Sequence, residues 1–433
     1  MREPAIGLDF GTTNSSLAIS REGGRPQLAR FPSPDGRSEI FRSLLYFEEG
    51  ERGGQPRVLA GPAAIAGYLA SEEKTGRLMQ SLKSFLASRL FSSTSVFGRS
   101  YRLEELIALL LGPLREEAER DLGTRIRRVV AGRPVHFVQA EGPEDDEFAL
   151  ARLRAALHNA GFEDVTFEYE PVGAAYHYER ELERDELILI ADFGGGTSDF
   201  SLLRVGPSFR HDEGRRDSIL GHDGVGLAGD AFDGKLVRHL VAPRLGRGTE
   251  FRSSLGDPLP VPGWIYRHLE RWHHLSFLRS PRTLGLLLDL RREALAPRGL
   301  DALVHVVEHD LGFPLHRATE ETKRALSVGS RARLRLAHED LEIEGAVARD
   351  RFEAWIAEEV QAIGACVDRL LARTGVAPGQ VDRVFLTGGS SLVPAVRGLF
   401  LGRFGAERLR GGAELTSVAS GLALRAGRGG APA

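Results

Sequence analysis

Along the first twenty residues, apolar positions bracket a polar corner: AIGLDF, then GTTN, then SSLAIS. Two short β-favouring runs around a Gly/Thr/Asn turn predict strand, tight turn, strand. The pattern returns at residues 187 to 205 as LILIA, DFGGGTSD and FSLLRV. Both copies carry Asp-Phe-Gly followed within a few residues by Thr. A supersecondary unit used twice predicts an α/β chain of two related lobes, at 1–185 and 186–425, with a disordered tail at 426–433.

The intervening pattern is mixed. Leu103 to Leu114 is the longest apolar helix candidate, a buried helix broken at Gly112-Pro113. Asp145-Asp146-Glu147 opens a helix running to about Ala160, with Leu150, Leu153 and Leu157 on one face; acids belong in such a first turn, so the trio does not read as a metal cluster. VTFEYEP reads as a strand and Val172 to Leu182 as a helix. The segment from about 238 to 317 is rich in Leu, Arg and His, contains Trp264 and Trp272, and predicts an all-helical insertion in the second lobe. His268, His273 and His274 within it do not converge on one face with the spacing a metal needs. VDRVFLTGG is a strand entering a glycine turn, with Pro394 placed to start the next helix. Cys366 shares a helical face with Ile356, Val360 and Ile363, which makes it a buried small hydrophobe. Arg331 to Arg335 alternates as a strand with one charged, solvated face, or secondarily a face for an anionic partner.

Composition narrows the function classes. The chain has 433 residues, 42% hydrophobic and 27% charged, enough to bury a large core. Lys and Arg total 57 against 60 for Asp and Glu, a net charge of −3 that speaks against nucleic acid or an anionic membrane as main partner. The apolar run from Pro4 to Phe10 is too short for a signal core or a span, and the single cysteine requires no oxidising compartment, so a cytoplasmic location is expected.

Candidate chemistry sits in the corners. Bare amides and hydroxyls at Gly11, Thr12, Thr13 and Asn14 can wrap phosphate oxygens, while Asp9, repelled by phosphate, suits a hydrated Mg²⁺. The second corner, Asp192 followed by Gly194, Gly195, Gly196, Thr197 and Asp199, places three glycines after an apolar strand. That run costs order and implies close backbone approach to a ligand. Two such corners facing each other would hold a polyphosphate from both sides, with Asp9 and Asp192 sharing the metal. A third turn, Thr387-Gly388-Gly389-Ser390, can admit ribose and α-phosphate. Neither a Walker sequence nor a dinucleotide glycine fingerprint is visible.

Taken in order, AIGLDFGTTNS, EPVGAA, IADFGGGTSDFSL and VFLTGGSSLVP resemble the nucleotide-binding domain of the seventy-kilodalton heat-shock chaperones, in the actin and sugar-kinase superfamily. Overall length and the insertion are most similar to short bacterial members of the YegD type. The resemblance implies a two-lobed actin-like ATPase fold, each lobe a mixed sheet flanked by helices, with ATP or ADP and Mg²⁺, and with K⁺ as a further candidate, in the cleft between lobes. It implies that Thr12, Thr13 and Asn14 form one phosphate loop and Gly194 to Thr197 the other, with Asp9 and Asp192 binding the metal through water. Lys83 in SLKSFL and Glu170 in YEPVGAA would place the attacking water, a role for positioning and charge rather than covalent help. Asp199 would join the water and cation network. Pro171 matches the proline after that glutamate, and Pro134 resembles a switch proline. Gly229 and Asp230 fit a glycine–acid pair near the ribose, Glu320, Lys323, Arg324 and Ser327 fit the helix over adenosine, and Gly388, Gly389 and Ser390 fit the third loop.

The chain departs from the pattern at three points. Ala228 replaces the first of the paired glycines. Leu392 stands where the family has an adenine-stacking arginine, which puts base preference in question. The later aspartate near adenine falls at about Leu415, beside Glu414. Full chaperones continue into a peptide-binding domain; the sequence stops soon after GLALRAG, so peptide clamping by this chain alone is not expected. The leading expectation is a slow ATPase reporting nucleotide state to a protein partner or co-chaperone. A small-molecule kinase, a nucleotide-dependent assembly protein and a binding-only relative are the alternatives.

Overall fold

The computed structural model describes residues 4–21, 24–33, 36–50, 54–71, 76–179, 182–209, 218–253, 256–271, 278–411 and 417–428. They fall into two compact units: unit 1 comprises Met1–Gly226, Cys366–Gly388 and Arg403–Ala433, and unit 2 comprises Leu227–Ala365 and Gly389–Gly402.

Unit 1 contains two sheets of the same topology. In the first, β1 (Ala5–Phe10) turns back into β2 (Asn14–Ser20), which pairs with the short β3 (Gln27–Leu28). On its other side β1 runs parallel to β4 (Arg128–Arg133), and β4 runs parallel to β5 (Asp164–Tyr169). In the second, β6 (Glu186–Phe193) pairs antiparallel with β7 (Ser198–Val205) and β7 with β8 (Ile219–Val225). On its far side β6 runs parallel to β9 (Arg383–Thr387), and β9 to β10 (Leu409–Arg410). The spatial order 3-2-1-4-5, with two antiparallel pairings and two parallel ones, is therefore built twice, and in the first sheet a short strand, Phe41–Arg42, also pairs with β2. Parallel additions require crossover segments, which is where helices enter.

Those helices are α1 (Leu103–Leu122), α2 (Pro143–Asn159) and α3 (Glu170–Glu179). The helix α1 passes through Pro113 without ending, contrary to the break expected there. An apolar stripe of Leu106, Leu110, Leu114, Ala118 and Leu122 stays buried on both sides of the proline, and that packing outweighs a penalty of about 3 kcal/mol for an interior proline. The helix α2 carries Glu144, Asp145 and Asp146 in its first turn, where they face the positive end of the dipole. Val172, Ala175 and Tyr176 of α3 pack on Ile188, Ile190, Leu203 and Val205 of the second sheet. Helix α3 starts at Glu170, two residues before the start expected from sequence, so Glu170 opens a helix.

In unit 2, α4 (Gly229–Leu236), α5 (Pro297–Glu308) and α6 (Gly312–Val328) accompany a hairpin of Arg331–His338 and Leu341–Ala348. Leu334 and Leu336 of that hairpin are buried while Arg331, Arg333 and Arg335 are exposed, the alternation read from sequence. The insertion is not wholly helical: Glu250–Arg252 pairs with Pro258–Pro260 in a small ribbon, because prolines bracketing Leu259 hold the backbone extended.

The last helix, α7 (Ser417–Arg428), returns to unit 1 and crosses β1. A Cβ on Gly7 would lie 2.3 Å from both Ala419 O and Ala423 N, so the two backbones meet only because residue 7 has no side chain. This helix also carries Ala426 to Arg428, which sequence assigned to the tail; residues 429–433 lie outside the described residues. Among the described residues no helix is long and apolar enough to cross a membrane.

Candidate functional site

Both Asp-Phe-Gly corners belong to unit 1, and their acids share one electrostatic neighbourhood. Asp9 ends β1 one residue early and Asp192 does the same on β6, so each carboxylate sits at the mouth of its hairpin. Lys83 lies in a 3-10 turn, Leu82–Phe85, and its buried ammonium is 2.6 Å from Glu170 Oε1. The pair is 87 residues apart in sequence. Burial alone would push Lys83 down, but the charges of Glu170, Asp9 and Asp192 outweigh it and hold the ammonium above its ordinary value. The acids show the opposite imbalance. Burial first, then Glu170 and Asp192 against the opposing Lys83, lifts Asp9 to about 8. Burial and the Asp192 charge lift Asp199 to about 7, and burial raises Asp192 as well. Four carboxyls thus stand around one described ammonium, an excess of negative charge.

Neighbouring hydroxyls fix the acids in place. Thr387 Oγ1 donates to Asp192 Oδ1 at 2.6 Å, and Thr197 Oγ1 donates to Asp199 Oδ2 at 3.0 Å. The first corner is braced differently. Arg42 donates to Asn14 Oδ1 at 2.9 Å, Ser43 Oγ donates to Gly11 O at 2.8 Å, and Ser43 N donates to Thr13 O at 2.9 Å.

The glycines divide by cause. A Cβ on Gly11 would meet Asn14 O at 2.1 Å, and Gly388, at φ 80°, would meet Phe193 O at 2.0 Å. Both glycines are therefore required by the chain's own packing. Gly196 is not: no described atom lies within 4 Å of its Cβ position, and Gly194 meets Thr197 at ordinary contact distance, O at 3.4 Å and Oγ1 at 3.8 Å. With Thr12, Thr13 and Gly195 half-buried and Gly194 and Gly196 exposed, the second corner is an open cradle that folding does not demand.

Pro134 and Pro171 lie in unit 1, and the remaining residues singled out for the nucleoside side lie in unit 2. Gly229 and Asp230 begin α4, and Glu320, Lys323, Arg324 and Ser327 lie on α6. Lys323 Nζ is 2.7 Å from Asp233 Oδ2 and donates to Gly229 O at 3.3 Å. Burial holds Asp230 above the usual carboxylate range, Lys323 opposing and Glu320 adding to it. Ser327 Oγ donates back to Lys323 O, and Arg324 is exposed. Gly389 and Ser390 open a 3-10 turn that ends at Leu392, whose side chain is 60% exposed. Glu414 and Leu415 lie outside the described residues, as do His273 and His274.

A family model described as Hsp70 protein matches residues 78–247 and 311–428, more than half of the chain. The chain belongs to the Hsp70 family. It is 23% identical over 426 residues to the chaperone protein DnaK of Thermosipho africanus (strain TCF52B), an alignment covering 98% of this chain and 59% of that protein. The chain thus spans about three fifths of the length of the curated relative it matches. Family membership, with the twice-built mixed sheet, places the chain in the actin-like ATPase fold class of the Hsp70 proteins.

Sequence reading missed three contributors. Arg42 and Ser43 brace the first corner from a segment without a motif of its own, and only the pairing of Asn14 with Arg42 reveals them. Asp233, lifted to about 6 by burial against the opposing Lys323, is the partner of a lysine that sequence did single out. Its spacing of three from Asp230, on one helix face, was the available signal. Cys366 is buried and its thiol is pushed up to about 12, first by burial and then by Asp223, which makes it inert.

Proposed function

We propose that this Hsp70-family chain binds ATP and ADP with Mg²⁺, hydrolyses ATP slowly, and passes its nucleotide state to a protein partner. The observation that carries the reading is the Gly194–Gly196 corner: Gly194 and Gly196 are exposed and free of close packing, beside acids whose charge exceeds that of the described ammonium among them. Exposed amides there suit phosphate oxygens, and the donor set suits a hydrated divalent cation. Asp9 and Asp192 would hold Mg²⁺ through water, and the ion would neutralise phosphate charge when bound. Thr12, Thr13, Asn14 and Thr197 add donors on the phosphate side. Lys83 and Glu170, paired and shut away from bulk water, present a fixed charge and an acceptor for orienting the attacking water. Nucleoside contacts fall to Gly229, Asp230, Glu320, Lys323, Arg324, Ser327, Gly389 and Ser390 of unit 2. Leu392 offers no guanidinium to stack, so weak discrimination among bases follows.

Calorimetric titration with ATP and ADP in Mg²⁺, alongside single-turnover hydrolysis, tests the reading. Lys83→Ala and Thr197→Val should retain binding within about tenfold while turnover falls about a hundredfold or more. Wild-type turnover in both variants, or no nucleotide binding by the wild-type chain, rejects it.

A further inference from the structure

Unit 2 carries a second cluster of metal-ligand type, remote in sequence from every motif discussed so far. His305 lies in the last turn of α5 and His309 follows one turn later, so the helix sets their rings side by side, stacked with centroids 4.0 Å apart. His338 ends the strand Arg331–His338, and Glu339 begins the tight turn of that hairpin at φ 50°. The two segments bring their donors together. His305 Nε2 is 3.0 Å from His338 Nδ1, and Glu339 Oε2 is 4.0 Å from His305 Nε2 and 3.8 Å from His309 Nε2. One ligand atom from each of His305, His338 and Glu339 lies within 4.8 Å of the others.

We propose that His305, His338 and Glu339, with His309 as a fourth donor, form a Zn²⁺-class metal site that clasps the end of α5 to the tip of the hairpin. The donor chemistry selects the metal class. Imidazole nitrogens with one carboxylate suit Zn²⁺ and its late first-row neighbours, whereas Mg²⁺ and Ca²⁺ take oxygen ligands. Tetrahedral Zn²⁺ with bonds of about 2.0–2.1 Å keeps its ligand atoms roughly 3.4 Å apart, so donors now 3.0 and 4.0 Å apart, all three within 4.8 Å of one another, close on the ion through side-chain rotation, with the exposed Glu339 moving most. The orientation of His309 is already fixed. Its Nδ1 donates to His305 O at 3.0 Å, which leaves the lone pair on Nε2, the atom facing Glu339. A backbone carbonyl holding the far nitrogen is the usual outer support of a metal-bound imidazole. Glu339 is 62% exposed, which leaves an entry path for the ion. The helical donors at 305 and 309 fall between the segments matched to the family, 78–247 and 311–428, whereas His338 and Glu339 lie within the second segment.

The test uses the full chain, stripped with chelator and held in excess Mg²⁺ to occupy the carboxylates of unit 1. Zn²⁺ is titrated calorimetrically, and Co²⁺ serves as an optical probe of tetrahedral nitrogen and oxygen ligation. The expected result is one Zn²⁺ per chain, a thermal midpoint raised by Zn²⁺, and a Co²⁺ spectrum of tetrahedral intensity. His305→Gln and His338→Gln, each shown folded by circular dichroism, should lose affinity by about a hundredfold, and Glu339→Gln by about tenfold. Glu339 lies at an exposed turn, so its variant reports even where a histidine variant fails to fold. No Zn²⁺ uptake by the wild-type chain, or uptake undiminished in His338→Gln and Glu339→Gln, overturns the proposal. ATP binding plays no part in either readout.

Discussion

The two hairpin corners of unit 1 share a backbone plan and differ in what holds them. At the first, Asp9 stands opposite Ser16, and the turn is gripped by Arg42, on a short strand paired with β2, and by the next residue, Ser43. At the second, Asp192 stands opposite Asp199, and the support comes from hydroxyls of its own sheet, Thr197 and Thr387. The first corner is packed shut by Gly11 against Asn14, while the second leaves open space over Gly196. Similar motifs thus divide the work. One corner holds a glycine that the fold requires, and the other holds glycines open to solvent, which the proposed reading gives to a ligand.

The strongest way to break this contrast is a pair of alanines. Gly11→Ala forces a Cβ to 2.1 Å from a backbone oxygen and should destabilise the chain by about 3 kcal/mol or more in denaturant titration. Gly196→Ala meets no described atom, so stability should stay level or rise by about 0.5 kcal/mol, while ATP affinity falls at least about tenfold. Equal stability loss in both variants would erase the distinction.

Next come the braces. Thr387→Val removes the 2.6 Å donor to Asp192 and should cost about 2 kcal/mol, because a buried acid loses its partner. Ser43→Ala removes a neutral contact to Gly11 O and should cost about 1 kcal/mol. A reversed order in urea midpoints would show that the first corner carries the larger share.

The opposed residues give the gentler tests. Asp199 sits near 7 when folded and near 3.8 when free, so the folded chain keeps a proton that the unfolded chain has released between those values. Stability of the Mg²⁺-free chain should fall as pH rises from about 4 to about 7 and then level off with respect to this group. Asp199→Asn should flatten that slope; an unchanged profile counts against the assignment. Smallest of all, Ser16 Oγ is buried with no hydrogen-bond partner among the described residues. Ser16→Ala should therefore shift stability by no more than about 0.5 kcal/mol, measured by thermal melting.

Local pattern made much of this readable. Alternation and turn chemistry place β1, β2, β6 and β7 within about two residues, since a hairpin is specified by residues adjacent in sequence. Pro113 misled because a single-residue propensity was weighed without the buried leucines on either side of it. The acids and Lys83 were individually visible, but the charge excess they create is a tertiary fact: Lys83 and Glu170 meet across 87 residues. The histidines show the same limit. His268, His273 and His274 attract attention by crowding in sequence, whereas His305 and His338 meet only because a helix end and a hairpin tip converge.

Gly7 under Ala419 and Ala423 has a consequence for how the molecule is made. During synthesis the leading strand leaves the ribosome long before the helix that covers it exists. The surface around Gly7 and Ala18 stays wet until that helix has been made, so the sheet it covers cannot lock in vectorially. Joining segments so distant along the chain also slows spontaneous refolding. A nascent chain stalled just before Ser417 should be protease-sensitive in its earliest strands, and protection should arrive abruptly once the final helix emerges.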